Sequence, residues 1–182
     1  MRGQWLDDVL YGLTAERRAE WLARDRSRPR RVELVEITAE TAGTYRRLRT
    51  HHSQERMVAP VAGSYEDALF PDDDGEGGTS LPWLRGIAAD GEPVGFVMVA
   101  EVTPTNPDPY LWRLLIDRRH QERGIGREVI GLLVQRGRAA GHRKLYTSYV
   151  PGPGSPAPFY DRLGFVPTGE IDDGEIVAAL DL

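Results

Sequence analysis

Gly124 and Gly126 stand between an apolar run, Leu111-Trp-Arg-Leu-Leu-Ile116, and a segment of helical periodicity. A strand-to-helix turn of this composition is suited to anions. Lacking Cβ atoms, the two glycines let the chain turn tightly and let a ligand approach the main-chain N–H groups. Those groups are the unpaired donors of a helix start, and the aligned peptide dipoles add partial positive charge there. Arg123 and Arg127 add full charges. Together they suit a diphosphate. The dinucleotide fingerprint would need a third glycine where this chain has Val129, and the Gly-Lys-Ser/Thr of the P-loop is missing too. A dehydrogenase or a nucleotide kinase is therefore disfavoured. On two glycines alone, a merely tight turn fits equally well.

The surrounding elements must hold that turn in place. Tyr110 to Ile116 reads as a strand covered on both faces. A helix begins within Arg123–Gly126 and runs to Ala140, with Ile125, Val129, Leu132 and Leu133 on one stripe and Gly141 as its C-cap. Gly137 should weaken its last turn by ~1 kcal/mol relative to alanine. Lys144 to Val150 is the next strand, so a right-handed crossover joins parallel or near-parallel strands. Ser155-Pro156 reads as N-cap and N1 of a short helix ending before Gly164. Upstream, Val32 to Ile37 is strand-like and Thr38 caps a helix running to about Thr50. Ser64-x-x-Asp67 resembles a capping box that would open a helix stopped by Pro71. Asp90-Gly91 and Asp172-Asp173-Gly174 each mark a hairpin. The class is α/β with a mixed sheet.

Two motifs, in this order and at this separation, narrow the reading. Gln121-x-x-Gly124-x-Gly126 follows one apolar strand, and Phe159-Tyr160-x-x-Leu163-Gly164-Phe165 follows the next. The pair resembles the GNAT N-acetyltransferase superfamily over residues 32–182, with residues 1–31 left as a helical N-terminal extension. The segments Tyr110-Leu-Trp-Arg-Leu-Leu-Ile-Asp and Thr168-Gly-Glu-Ile-Asp-Asp-Gly-Glu-Ile resemble, more narrowly, bacterial diamine (spermine/spermidine) acetyltransferases. The resemblance implies a mixed, mostly antiparallel central sheet with splayed strands and flanking helices, and acetyl-CoA as cosubstrate. Strands 110–116 and 144–150 would splay, and backbone groups of Leu115 and Ile116 would pair with the pantetheine arm. Gln121, Glu122, Arg123, Gly124, Ile125, Gly126 and Arg127 would hold the pyrophosphate. Tyr160 takes the position whose phenol protonates the departing thiolate, a role its ordinary pKa of ~10 suits. The family often has Asn where this chain has Pro153 and a small residue where it has Pro156; Ser155 is the expected partial substitute.

The implied activity transfers acetyl directly to a primary amine of a small molecule, a polyamine in the narrower resemblance. An antibiotic, an amino acid or a protein amine are alternative acceptors, and a CoA-sensing or assembly module without turnover is an alternative role. The chain has no Cys, which excludes disulfides, a thiolate metal site and a cysteine acyl-enzyme. No metal-ligand spacing is present. Glu101 is a candidate base, with a plain surface carboxylate as the competing reading. Asp117 reads as a strand-end cap, and His120 and His142 as solvated. Trp83 reads as packing, as does Trp112, which alternatively lines the acceptor pocket.

At 182 residues the chain suits one domain, burying roughly 70% of its extended surface. Its net charge of -5 argues against nucleic-acid binding. With no signal-like leader and no apolar run near the ~18 residues of a spanning helix, a cytoplasmic protein without membrane partners is expected. A homodimer is a family-level expectation. Arginine-rich residues 14–31 read as a solvated helical arm. The acidic stretch at 71–78 reads as a mobile surface loop or, more sharply, as an attractor of a cationic substrate.

Overall fold

The computed structural model describes residues 15–51, 54–71 and 81–182. Trp5 to Leu13 and the acidic residues Asp72 to Glu76 lie outside that set. In chain order the elements are α1 (Ala15–Ala23), β1 (Val32–Val35), α2 (Ala39–Tyr45), α3 (Val61–Leu69), β2 (Pro82–Ala89), β3 (Glu92–Ala100), β4 (Tyr110–Ile116), α4 (Ile125–Ala139), β5 (Lys144–Tyr149), α5 (Ala157–Asp161), β6 (Val166–Asp172) and β7 (Glu175–Asp181). The strands form one seven-stranded sheet in the order β1-β2-β3-β4-β5-β7-β6. Every pairing is antiparallel except β4 with β5. Both hairpin turns place their central residues at positive φ, Asp90-Gly91 at 49° and 85° and Asp173-Gly174 at 44° and 81°, which matches the twist of the strands they join.

Apolar side chains alternate across the sheet into two clusters. Ile87, Val97, Val99, Leu111 and Leu145 pack against Ile125, Val129, Ile130 and Leu133 of α4 on one face. Phe96, Met98 and Leu115 pack on the other face with Tyr45, Leu48 and Val61 from the α2–α3 region. The buried stripe of α4 is therefore Ile125, Val129, Ile130, Leu133 and Gly137, with Leu132 only half-buried. Gly137 has a packing role beyond its helix cost: a Cβ there would run into the Leu182 side chain.

Gly86 is a second close approach, because the Tyr45 ring lies across β2 where its Cβ would stand. Gly86→Ala should therefore lower stability by about 2 kcal/mol, the scale of an overpacked core. Chemical denaturation would register this as a lower midpoint at unchanged m-value.

Two helices differ from expectation. α2 stops at Tyr45 rather than near Thr50. The Arg49 N–H, which would continue the helix, instead donates to Asp117 Oδ2 (3.1 Å), and the Arg49 guanidinium takes up the carbonyls of Arg46 and Leu48. Meanwhile α3 begins at Val61, so Ser64 lies inside it, fully buried, rather than capping it. Its end before Pro71 is as expected.

Candidate active site

β4 and β5 pair only at Tyr110↔Tyr146 and Leu111↔Thr147. Beyond those two rungs the strands part. An irregularity in the β3–β4 register, where Met98 faces Arg113 but Val99 faces Leu111, bends β4 around Trp112. The gap opens into a cavity of about 550 Å³.

Most of the residues singled out from the sequence meet there. Ile116, Gln121, Glu122, Gly124, Ile125, Gly126, Arg127, Ser155 and Tyr160 all line it. The turn before α4 uses left-handed backbone at Glu122 (φ 67°) and Gly124 (φ 80°), and Gly124 is the N-cap. The first bond of α4 runs from the Glu128 N–H to the Gly124 carbonyl (3.2 Å), so the N–H groups of Ile125, Gly126 and Arg127 are the helix's unpaired donors. Gly126 faces Phe159 so closely that a Cβ would stand 3.1 Å from Cζ of that ring. This is a narrow cradle bordering the cavity, with donors of the kind that suit an anion.

Leu115 and Arg123 are placed differently. Leu115 packs in the cluster on the α2–α3 face. The Asp117 N–H donates to the Val94 carbonyl (2.8 Å), so by alternation Leu115 also turns its backbone polar groups to β3. Leu114 and Ile116 therefore face the gap, where the Ile116 carbonyl accepts from Gln121 Nε2 (3.0 Å). The Arg123 side chain, expected to add charge to the cradle, is buried outside the cavity. Its Nη1 is 3.0 Å from His120 Nδ1.

Tyr160 forms the opposite wall. Its ring is stacked on Tyr149 (centroids 5.9 Å apart) and meets Phe159 and Phe165 edge-on, both at 5.2 Å. Packing on Phe165 and facing the cavity are thus both true of it. Burial pushes its phenol up to about 12, against the lowering effect of a hydrogen bond with Thr147. Thr147 Oγ1 in turn donates to the Leu111 carbonyl (3.1 Å), fixing that hydroxyl at the point where the strands part. The N-cap of α5 is Pro156, one residue later than expected; the Ser155 hydroxyl just ahead of it accepts the Ala157 N–H (3.2 Å) while it borders the cavity.

Several lining residues carried no recognisable signal in the sequence. Thr50, Gln54, Met57 and Val58 come from the α2–α3 connection, and Thr147 and Ser148 from β5. Ser148 also donates to Glu175 Oε2 (2.5 Å). His120 is buried rather than solvated, and burial lowers its pKa. Glu101, the candidate base, is bonded to Arg136 Nη2 (2.6 Å) and does not border the cavity. Trp83 packs against the guanidinium groups of Arg85 and Arg136.

Asp117, 3% exposed, ties the site to the fold. Burial alone would raise its pKa, but hydrogen bonds from the Arg119 side chain and from the N–H groups of Arg119 and Arg49 outweigh that and hold it low. A carboxylate with a depressed folded pKa contributes stability that is full above its unfolded value of ~3.9 and lost as pH falls through the folded one. Asp117→Ala should cost roughly 3 kcal/mol at pH 7, because it strands two N–H donors in the interior. Thermal melts from pH 7 to pH 3 should show the difference between variant and parent shrinking toward acid.

Among the described residues, no helix is long and apolar enough to cross a membrane. A search of the curated proteins finds no match. Solved structures share the architecture. An acetyltransferase from Thermus thermophilus is 22% identical, with a TM-score of 0.54 over 83% of this chain and 97% of that one. The PaiA N-acetyltransferase from Thermoplasma acidophilum, solved in complex with coenzyme A, is 12% identical, with a TM-score of 0.58 over 84% and 99%. The GNAT domain of S. lividans PAT is 16% identical, with a TM-score of 0.59 over 83% and 89%. The family model described as Acetyltransferase (GNAT) family matches residues 32–165, a stretch that contains the parted strands, the amide cradle and Tyr160. By that match the chain belongs to the GNAT family of acetyltransferases.

Proposed function

We propose that residues 32–182 form a unit that transfers acetyl from acetyl-CoA directly to a primary amine of a small cationic molecule, with both substrates bound at once. The observation that carries this reading is the juxtaposition, in one cavity, of the α4 amide cradle and the buried Tyr160 phenol across parted strands. Bound acetyl-CoA would supply an activated thioester. The N–H groups of Ile125, Gly126 and Arg127 hold its diphosphate, with Arg127 and Arg162 at the rim and Gln121 and Ser155 bordering. Backbone groups of Leu114 and Ile116 face the gap and serve as the rungs that β5 leaves open. Tyr160, still protonated near neutrality, donates its proton to the leaving sulfur.

The acceptor side lies beyond Trp112. That indole borders both the main cavity and a second recess of about 450 Å³ lined by Glu66, Asp67, Phe70, Pro71, Met98 and Arg113. Arg113 pairs with Asp67 at 3.7 Å, which leaves the Glu66 carboxylate for a second cation. Glu170, Asp172 and Glu175 of the closing hairpin act on Tyr110 at the base of β4, and each raises its pKa after the larger effect of burial. Negative charge on both sides of the gap supports an alkylammonium acceptor, and a polyamine is the extended form of one.

A thermal-shift panel of acetyl-CoA, CoA, ATP and NAD tests the cofactor first, because a ligand that binds only the folded state raises the melting temperature. Thiol release against an amine library then tests turnover. Stabilisation by ATP or NAD but not by CoA would overturn the reading, as would CoA binding without amine-dependent thiol release.

A further inference from the structure

The segment that follows α1 is largely exposed, as an arm would be, but it is tied down. It crosses the outer side of the turn before α4. Arg24, with a side chain only 7% exposed, donates to Glu122 Oε2 at 3.0 Å. Asp25 Oδ2 accepts from Arg123 Nη2 at 3.1 Å, and the Ser27 carbonyl accepts from Arg123 Nε at 2.9 Å. Glu122 and Arg123, next to the N-cap, thus each meet an arm residue of opposite sign. The next arm residue, Arg28, reaches the N-cap itself. Its Nε lies 3.2 Å from where a Cβ of Gly124 would stand.

This placement runs against the electrostatics of the unliganded protein. A guanidinium beside a helix N-terminus faces the positive end of the dipole, where cations are unfavourable. Arg28 is exposed, and among the described residues no carboxylate is bonded to it. Asp25, the nearest acid along the chain, is already committed to Arg123. The position becomes favourable once an anion occupies the cradle.

We propose that Arg28 is a phosphate-binding residue of the coenzyme site, delivered by an arm that the Arg24–Glu122 and Asp25–Arg123 pairs latch to the turn. Arg127 and Arg162 border the cavity and Arg28 does not; from its place beside the N-cap it adds a third positive charge near the phosphates of CoA. The proposal rests on the coenzyme reading above and extends it to residues the family match does not cover.

Calorimetric titration of CoA into the full chain tests it, with Arg28→Ala, Arg28→Lys and Arg28→Glu beside the parent. If the parent does not bind CoA, the coenzyme reading and this proposal fall together. If it binds, Arg28→Ala should weaken CoA about tenfold, the scale of one charge-assisted contact. Arg28→Glu should weaken it further, and Arg28→Lys should retain part of the affinity. The gap between parent and alanine variant should close at about 1 M salt, where screening reaches only ~3 Å. The melting temperature of the unliganded alanine variant should be equal to or above that of the parent. CoA affinity unchanged by Arg28→Ala would overturn the proposal and leave the coenzyme reading standing. So would a loss that salt does not reduce, which would assign the arm to shape rather than charge. Titration with dephospho-CoA places the contact: a loss that persists points to the diphosphate, and one that vanishes points to the ribose phosphate. Either of these upholds the assignment.

Discussion

Tyr160→Phe should lower kcat by about 100-fold while leaving the Kd for CoA within about twofold of the parent value. The asymmetry follows from what the change removes. The ring keeps its stack on Tyr149 and its edge contacts with Phe159 and Phe165, so the wall of the cavity stays in place. Thr147 keeps its bond to the Leu111 carbonyl, so no buried donor is stranded. Only the proton offered to the departing sulfur is lost, and that proton matters in the transition state alone. With the phenol pushed up to about 12, the parent should show no falling limb from Tyr160 below about pH 11, and its rate should rise with pH as the acceptor amine loses its proton. Stopped-flow thiol release and equilibrium CoA titration on the same preparations separate the two quantities. A drop in kcat below about threefold would make Tyr160 a packing residue.

Gly126→Asp should produce the opposite split. A Cβ at this position presses on Phe159, 3.1 Å from its Cζ, and a carboxylate would stand among the amides that await a diphosphate. CoA affinity should fall by at least about 100-fold, equivalent to ~2.7 kcal/mol, since the incoming phosphates meet both a filled cradle and a like charge. The unliganded protein should tolerate the change well, because an acidic side chain in the first turn of a helix is worth roughly 0.3–1 kcal/mol in its favour. Calorimetry should thus report lost binding, and circular dichroism a melting temperature within a few degrees of the parent. Near-normal CoA binding would place the diphosphate elsewhere than on the first turn of α4.

The parts of the fold that were legible in the sequence are those fixed by local chemistry. The Tyr110–Ile116 strand, the α4 start near Gly124 and the two Asp-Gly turns depend on periodicity and on positive-φ positions, both visible in residue types. Where a tertiary contact overrode local preference, the sequence misled. The expected helix to Thr50 loses its last turn because a carboxylate sixty-eight residues away takes the Arg49 N–H. Ser64 has the chemistry of a cap but is buried inside α3, and Gly137 looked like a weakness until Leu182 was seen to need its space. Around the cavity, the glycine-spaced turn could be read in advance because its function is carried by the backbone. The outward rotation of Arg123, the burial of His120 and the contribution of Thr147 could not, since each depends on how distant segments meet. The arm shows the same limit in charge. Arg24 reads as solvent-facing with the other arginines of the arm because its acidic partner, Glu122, lies far along the chain.

A sheet sewn by only two rungs at its middle behaves like a book with a short spine. The leaf of β1 to β4 and the leaf of β5 to β7 share one apolar cluster packed on α4, but no backbone pairing beyond those rungs. The two backbone ladders can therefore open separately, so the empty protein should exchange its amide hydrogens in two separate populations. A ligand lying along the spine would bind both pages, merge the two populations into one, and make the molecule most rigid while it is ready to react.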